Sequence, residues 1–312
     1  MLRLFFATDV HGSDICWRKL VNAGAFYDAT VLVLGGDIAG KAVLLLEERD
    51  GAWTASRGGR EYRAETREEL ERLARETRNA GFYPYVAGPD EAEAFRSSQE
   101  ERDRVFERLV RKSLARWVEF ADERLGGTGR TLIVTSGNDD PFFCDDAFDG
   151  AKTVRQAEGE VVALDDEHEM VSLGWTPPTP WHTHRECSEE ELAAKISEQA
   201  RALRRPERAI FNLHAPPFNS GLDSAPKLDE NLRPVEGGAT SEAVGSRAVR
   251  EAIEEYRPLL GLHGHIHEAR GATKVGKTLC LNPGSVYGQG LLAGALVALD
   301  KGKVRGYQLV EG

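Results

Sequence analysis

An α/β fold is predicted for this chain on two observations. Short apolar runs bounded by Gly and Pro recur along it, and amphipathic segments with helix caps separate several of them. Strands interleaved with helices build an α/β core, in which ligands gather beyond the carboxyl ends of the strands. At 312 residues the length allows one large domain or two ordinary ones.

The strand candidates come in a fixed pattern, each followed by a sharp polar segment. Leu2–Ala7 leads to Asp9 and His11, and Thr30–Leu34 leads to Gly35-Gly36-Asp37. Thr131–Thr135 leads to Gly137-Asn138-Asp139-Asp140. Ala209–Leu213 leads to His214-Ala215-Pro216-Pro217, and Leu259–Leu262 to His263-Gly264-His265-Ile266-His267. Helix signals lie between them. Ser188 and Glu191 form a capping box ahead of Leu192, Ile196 and Leu203, and Ser246 caps a segment through Val249, Ile253 and Tyr256 that stops at Pro258. After His267, residues Ala269–Val275 and Lys277–Leu281 read as a hairpin, Asn282-Pro283-Gly284-Ser285 as a turn, and Ala293–Leu299 and Val304–Leu309 as closing strands.

One stretch does not fit a simple crossover. Lys41–Glu48 and Glu61–Ala64 flank Gly51, Gly58 and Gly59, which reads as an irregular hairpin. Thr66 and Glu69 then cap a helix through Leu70, Leu73 and Thr77 that stops near Gly81. A second helix carries Phe106, Leu109, Val110, Leu114, Trp117, Val118 and Leu125 at helical spacing, a packing face, and ends at Gly126-Gly127. Residues 41–125 are therefore expected to be a hairpin-plus-helices elaboration within a single domain, 1–312. There is no internal repeat and no low-complexity segment.

Composition narrows the function classes. The net charge is −11, with no long Lys/Arg block, which argues against a nucleic-acid partner held through its backbone. A phosphate substrate stays open, because bound cations reverse the local field. Cys16, Cys144, Cys187 and Cys280 are far apart and form no C-x-x-C pair, so reduced thiols in an intracellular protein are expected. Leu4–Ala7 is too short for a signal segment and no apolar run is long enough to span a bilayer, so a cytoplasmic setting without a membrane partner is expected.

Taken singly, the polar segments are weak signals. Gly-Gly-Asp after a strand is commonly a turn, Gly137-Asn138-Asp139 could be a hairpin turn, and His265 and His267 could be surface histidines on one strand face. Together they place imidazole, carboxylate and amide oxygen at five successive strand ends, a donor mixture suited to Mn, Fe, Co, Ni or Zn. In this order, D-x-H, G-D, G-N-x-[DE], H-x-P-P and G-H-x-H resemble the calcineurin-like metallophosphoesterase family. The resemblance runs from residue 9 to residue 267 and extends to Asn282-Pro283-Gly284-Ser285. Thr176–Glu186, Gly245–Ile253 and the run Asn282–Gly288 look like the branch related to cyclic-nucleotide phosphodiesterases.

The resemblance implies a four-layer αββα sandwich of two mixed β-sheets flanked by helices. It implies two divalent metal ions, with Mn favoured in vitro. One ion would be held by Asp9, His11, Asp37 and His267, the other by Asp37, Asn138, His214 and His265, with Asp37 as the bridge. The implied activity is hydrolysis of a small-molecule phosphate ester, more readily a diester, by direct attack of water without a phosphoenzyme. A nuclease and a non-catalytic scaffold for protein partners are the alternatives.

One position departs from the family pattern. Asp139 stands where members usually carry a His that protonates the leaving oxygen. A carboxyl beside two cations should be ionised and a poor acid. His182 and His184, on a loop braced by Pro177, Pro178 and Pro180, are the remaining candidates for that proton. Arg185 is expected either to hold phosphate or to make a surface ion pair. His263 is expected to be structural, and His168 solvated in its acidic segment.

Overall fold

The computed structural model describes residues 1–312. The first part of the chain runs β1 (Leu2–Ala7), α1 (Asp14–Phe26), β2 (Val31–Gly35), β3 (Ala42–Arg49), β4 (Ala52–Arg57), β5 (Arg60–Ala64), α2 (Arg67–Asn79) and β6 (Phe82–Ala87). Next come α3 (Pro89–Ser97), α4 (Gln99–Leu125), β7 (Thr131–Thr135), β8 (Val154–Gln156), β9 (Val161–Ala163), β10 (Glu169–Leu173), α5 (Glu189–Arg201) and β11 (Ile210–Leu213). The last part is β12 (Ser224–Pro226), β13 (Ser241–Ala243), α6 (Arg247–Tyr256), β14 (Leu260–Leu262), β15 (Gly271–Val275), β16 (Thr278–Asn282), β17 (Ala293–Leu299) and β18 (Val304–Glu311).

Two six-stranded mixed sheets form the centre, ordered β18-β17-β1-β2-β7-β8 and β15-β16-β14-β11-β10-β9. In each, four neighbouring strands run parallel; antiparallel strands close one edge of the first sheet and both edges of the second. The period-2 alternation of a strand explains the layering. Leu4 and Phe6 of β1 point between the sheets, where they join Val31, Val33, Ile210, Leu260 and Leu281 in one apolar cluster. Phe5 and Ala7 of the same strand point outward, under Trp17 and Leu20 of α1 and Leu114 and Trp117 of α4. On the far side, Phe211 and Leu213 meet Ile196 of α5 and Ile253 of α6. Helices, sheet, sheet and helices thus form the expected αββα sandwich. Strands buried on both faces read as continuous apolar runs, which is why they stand out in the sequence.

The stretch after β2 corrects the sequence reading. It is a three-stranded meander, not an irregular hairpin, and β6 adds beside β3 to give a four-stranded sheet in the order β5-β4-β3-β6. Both of its turns have two residues at positive φ, Asp50-Gly51 and Gly58-Gly59, the conformation of a tight two-residue hairpin loop. Pro84 lies in β6, which the sheet tolerates because β6 is an edge strand. Helix caps fall where expected: Thr66 with Glu69 and Ser188 with Glu191 form capping boxes, and Ser246 accepts from Val249 N–H. The elaboration shares a helix with the sandwich. Val105 of α4 packs in its small core, while Val110, Leu114 and Trp117 of the same helix cover β1, β2 and β7. No helix is long and apolar enough to cross a membrane.

Trp117 is the main contact of that shared helix. Its ring stacks on Trp17 at 4.7 Å between centroids, and its Nε1 donates to Asp14 Oδ1 at 2.6 Å. Trp117→Ala is expected to lower the unfolding free energy by about 3–5 kcal/mol, the usual cost of truncating a buried Trp. Urea denaturation followed by circular dichroism measures this, and a loss below about 1 kcal/mol would show that α4 is not anchored there.

Candidate metal centre

The candidate residues meet because parallel strands of both sheets end on one edge and the chain turns sharply there. Asp9, His11, Asp37 and His265 all have positive φ, between 40° and 66°. For residues other than glycine this backbone costs about 1–3 kcal/mol each and persists only where surroundings enforce it. Here hydrogen bonds enforce it. Asp9 N–H donates to Gly36 O at 3.0 Å, His11 N–H to Asp37 O at 2.9 Å, and Gly12 N–H to Ile38 O at 2.7 Å, zipping the loops after β1 and β2 together. His265 N–H donates to the Asp9 carboxylate at 3.1 Å, tying in the second sheet. Gly36 and Gly137 have no room for a Cβ, which would strike the His214 ring and the Asp37 carboxylate respectively.

The side chains then converge in overlapping groups whose ligand atoms lie within 4.8 Å of one another: Asp9, His11 and His267; Asp9, Asp37 and His214; His11, Asp37 and Asp139. Asp37 Oδ2 sits 3.6 Å from His11 Nε2 and 3.4 Å from His214 Nε2. Asp9 Oδ1 sits 3.3 Å from His267 Nε2 and 3.8 Å from His214 Nε2. Both carboxylates therefore lie between imidazoles that the sequence reading divides between two ions. His11 Nε2 and His267 Nε2 face one another at 3.1 Å. The His265 ring is edge-on to that of His214 at 5.4 Å.

The donor set tests well against cations. Asn138 Oδ1 and His11 Nδ1 are buried without a hydrogen-bond partner. An orphaned buried acceptor is costly unless something else satisfies it. His214 Nδ1 donates to Gly35 O at 2.9 Å, which turns its Nε2 toward the carboxylates, and such an outer hydrogen bond is the usual way a ligand imidazole is oriented. The Asn138 amide is set in the same manner. Its Nδ2 donates to Thr183 Oγ1 at 2.8 Å, and the Thr183 hydroxyl donates to Glu186 Oε1 at 2.7 Å, leaving Oδ1 directed inward.

Electrostatics show how the fold tolerates two buried carboxylates. Burial works to raise Asp9, but His214 and His267 hold it down at about 2. Asp37 also lies well below the carboxylate range, since His214, His11 and His265 outweigh burial. Burial pushes His11 down to about 4. His214 is the counter-charge: burial lowers it, yet Asp37 and Asp9 drive it up to about 10.

Several supports were not anticipated. Asp140, the residue after Asp139, is a clip: its carboxylate accepts from Ile38 N–H at 3.0 Å, Ala39 N–H at 2.7 Å and Gly137 N–H at 2.7 Å. Burial and Asp37 raise it to about 7, against those three donors. Asn282 donates from Nδ2 to Ile266 O at 2.9 Å, and Ser285 Oγ to Asp9 O at 2.7 Å, so the Asn-Pro-Gly-Ser turn braces two ligand loops. Lys41, read from the sequence only as the start of a strand, places Nζ 2.5 Å from Asp139 Oδ2. Tyr287 lays its ring 4.8 Å from that of His11.

Two expectations need correction. Arg185 neither faces the site nor sits at the surface. It is 1% exposed, grips both oxygens of Asp145 at 2.6 Å, donates to Asp140 O, and covers the Phe142 ring. Its guanidinium is a strut between the 176–187 loop and the Asn138–Asp140 turn, because Asp145 offers a bidentate partner inside the fold. His168 is buried, since Asp165 folds back to accept from its backbone N–H at 2.7 Å and to meet its Nδ1 at 2.9 Å. His263 is buried with Nδ1 on Leu213 O at 2.8 Å, a structural role. The proline-braced loop does reach the centre, but through Thr183. His182 and His184 are exposed, and their rings make no hydrogen bond or ion pair with protein groups.

Two facing mixed sheets, helices outside, and the candidate residues gathered on one shared edge settle the architecture. The fold is the αββα sandwich that the resemblance to calcineurin-like metallophosphoesterases implied. No protein-family model matches it. An uncharacterized protein of Methanocaldococcus jannaschii is 33% identical over 117 residues, 36% of this chain and 47% of that protein, so the alignment spans about half the length of this curated relative. One solved structure is 16% identical over 98% of both chains, with a TM-score of 0.57. The protein TT1561 of Thermus thermophilus is 11% identical over 100% of this chain and 98% of that one, with a TM-score of 0.52. At these identities the likeness is one of fold.

The counter-charge role of His214 has a measurable consequence. With a pKa of about 10 its imidazole holds a proton at pH 7, and a ligand imidazole must give it up. Uptake of Mn²⁺ at pH 7 should release about one proton, and affinity should rise with pH toward that pKa. Calorimetric titrations in buffers of different protonation enthalpy read the proton count. A heat independent of buffer would show that His214 is neutral or takes no part.

Proposed function

We propose that this chain is a dinuclear-metal phosphoesterase that hydrolyses a small-molecule phosphate ester, with a preference for diesters. The observation that carries the reading is the convergence of Asp9, His11, Asp37, His214 and His267 in overlapping groups whose ligand atoms lie within 4.8 Å, with the buried Asn138 Oδ1 left without a hydrogen-bond partner. Asp9, His11, Asp37 and His267 would hold one divalent ion; Asp37, Asn138, His214 and His265 would hold the other. When bound, such ions supply Lewis acidity toward phosphoryl oxygens and lower the pKa of water.

The protein's own groups do the rest. Asp37 Oδ1 accepts from Asp139 N–H at 3.0 Å, which frees Oδ2 to face His11 and His214 and so fixes the proposed bridge. Glu186 and Thr183 keep the Asn138 amide oxygen pointed inward. Asp139 sets the charge where the ester would lie. Its carboxylate is paired with Lys41, so this side of the site is close to neutral, which suits a diester monoanion better than a monoester dianion. His182 and His184 remain the candidate proton donors to a departing oxygen. Four buried, unpaired cysteines support a reducing compartment, and α4, packed on both the elaboration and the sandwich, supports a single domain.

The reading is tested with Mn²⁺-supplemented protein on matched aryl diesters and monoesters, with metal content measured on the same samples. Diester turnover above monoester turnover is expected, and bound metal with no ester hydrolysed would favour a scaffold instead. Asp37→Asn should lose more metal and activity than His11→Ala, because it removes a contact to both ions; undiminished metal in Asp37→Asn would remove the bridge assignment. Thr183→Val should cost about 10–100-fold in affinity for one ion, the usual effect of losing an outer partner, with Thr183→Ser recovering most of it. If His182 or His184 donates the proton, its Ala variant loses turnover of alkyl esters and spares activated aryl esters. Equal loss on both would assign that histidine to substrate binding.

A further inference from the structure

We propose that Lys41 is a substrate-contacting residue: its ammonium, parked on Asp139 at the rim of the metal cluster, binds the phosphoryl group of the ester. The inference rests on the phosphoesterase reading above and adds to it a residue outside the family's motif positions.

Three observations carry it. The first is charge. Asp9 and Asp37 pair only with imidazoles, so Lys41 is the one lysine or arginine that meets a carboxylate of the cluster, through Asp139 Oδ2 at 2.5 Å. The second is position. That same Asp139 oxygen lies 3.9 Å from His11 Nδ1, and Asp139 N–H is bonded to Asp37 Oδ1, so the ammonium stands one side chain away from the centre. Its charge is felt at His11, His267 and Tyr287.

The third is the contrast between a fixed root and a free head. The backbone leading to Lys41 is pinned: Ile38 and Ala39 N–H by the Asp140 carboxylate, and Gly40 N–H by the Tyr83 hydroxyl at 2.8 Å. Gly40 itself has no space for a side chain against Gly81 O, where the elaboration meets the centre. The Lys41 side chain, by contrast, is 56% exposed. A pair this open to water is weak, and a flexible stem with a compact ammonium is suited to binding phosphate as a point charge. An arriving phosphoryl group, with charge on several oxygens, can therefore draw the ammonium from Asp139 without backbone movement. In the free protein Asp139 keeps the head beside the cluster, where it would otherwise wander.

The test is calorimetric titration of Mn²⁺-loaded protein with inorganic phosphate, with metal content and thermal unfolding measured on the same samples. Lys41→Met should bind phosphate about tenfold more weakly, about 1.4 kcal/mol, with metal content and melting temperature unchanged. Lys41→Arg, which keeps the charge, should stay within about threefold of wild type, a difference below about 0.7 kcal/mol. Equal phosphate affinity in Lys41→Met and wild type overturns the proposal, as does the absence of phosphate binding by the wild type. Loss of metal from Lys41→Met also overturns it, since Lys41 would then serve the ions and not the ester. Phosphate binding that depends on Lys41, in a protein that hydrolyses no ester, would uphold this inference while defeating the catalytic reading.

Discussion

Two carboxylates, Asp9 and Asp37, lie 1% and 3% exposed with no lysine or arginine against them. Burying an ionised carboxyl is costly unless opposite charge and hydrogen bonds surround it. Much of the architecture around the strand ends answers that demand. Imidazoles come in from β11 and from the loop after β14, backbone N–H groups of Asp139 and His265 point at the two carboxylates, and His214 is driven to carry a proton. Divalent cations would answer the same demand more fully, since they offer charge without needing a proton. The four left-handed residues at the centre follow from this crowding, because an extended backbone could not turn the side chains toward one point.

The periphery is organised to keep that crowding in register. Asp140 binds three backbone N–H groups from two loops and so locks the chain after β2 to the chain after β7. Arg185 performs the complementary task, holding the 176–187 loop to the Asp139–Asp140 turn through Asp145 and a main-chain oxygen. The loop is thereby fixed where Thr183 can reach Asn138. Removing Asp145, itself one-third exposed, would leave the buried Arg185 guanidinium without its bidentate partner. The four-stranded elaboration is rooted one residue beyond the pinned loop, so Lys41 belongs to the site and Ala42 to the new sheet. The four-stranded sheet thus begins at the rim of the centre, one residue past the pinned loop.

How much of this was legible depended on how local the cause was. The five core strands were readable because burial on both faces demands continuous apolar runs, and the caps of α2, α5 and α6 because a Ser or Thr side chain answers a backbone N–H three residues on. The meander was misread although its two turns are local. Asp50-Gly51 and Gly58-Gly59 are two-residue hairpin turns with β4 between them, and the sequence reading took the glycines as one irregular hairpin. The strand β6 was not read from the sequence; Pro84 lies within it, and a proline is tolerated there because β6 is the sheet edge. Arg185 and His168 looked like surface groups because each sits in a polar run, and nothing in that run shows that Asp145 and Asp165 turn inward to meet them.

By itself the sequence determined the fold class, the core strands and most of the residues that the structure brings together beyond them. Each of those follows from a pattern within ten residues or so: an apolar run, a glycine, then a polar ligand. What only the tertiary structure decided is which group answers which. Lys41 meets Asp139, Thr183 meets Asn138, and Asp140 meets Ile38 and Ala39, partners 45 to 102 residues apart for the hydrogen bonds. A hydrogen bond needs its donor and acceptor about 3 Å apart, so such pairings exist only once packing has brought the atoms together. Spacing along the chain carries no trace of them. The chemistry of this centre is written in motifs, and its tuning in contacts that form when the two sheets close on one another.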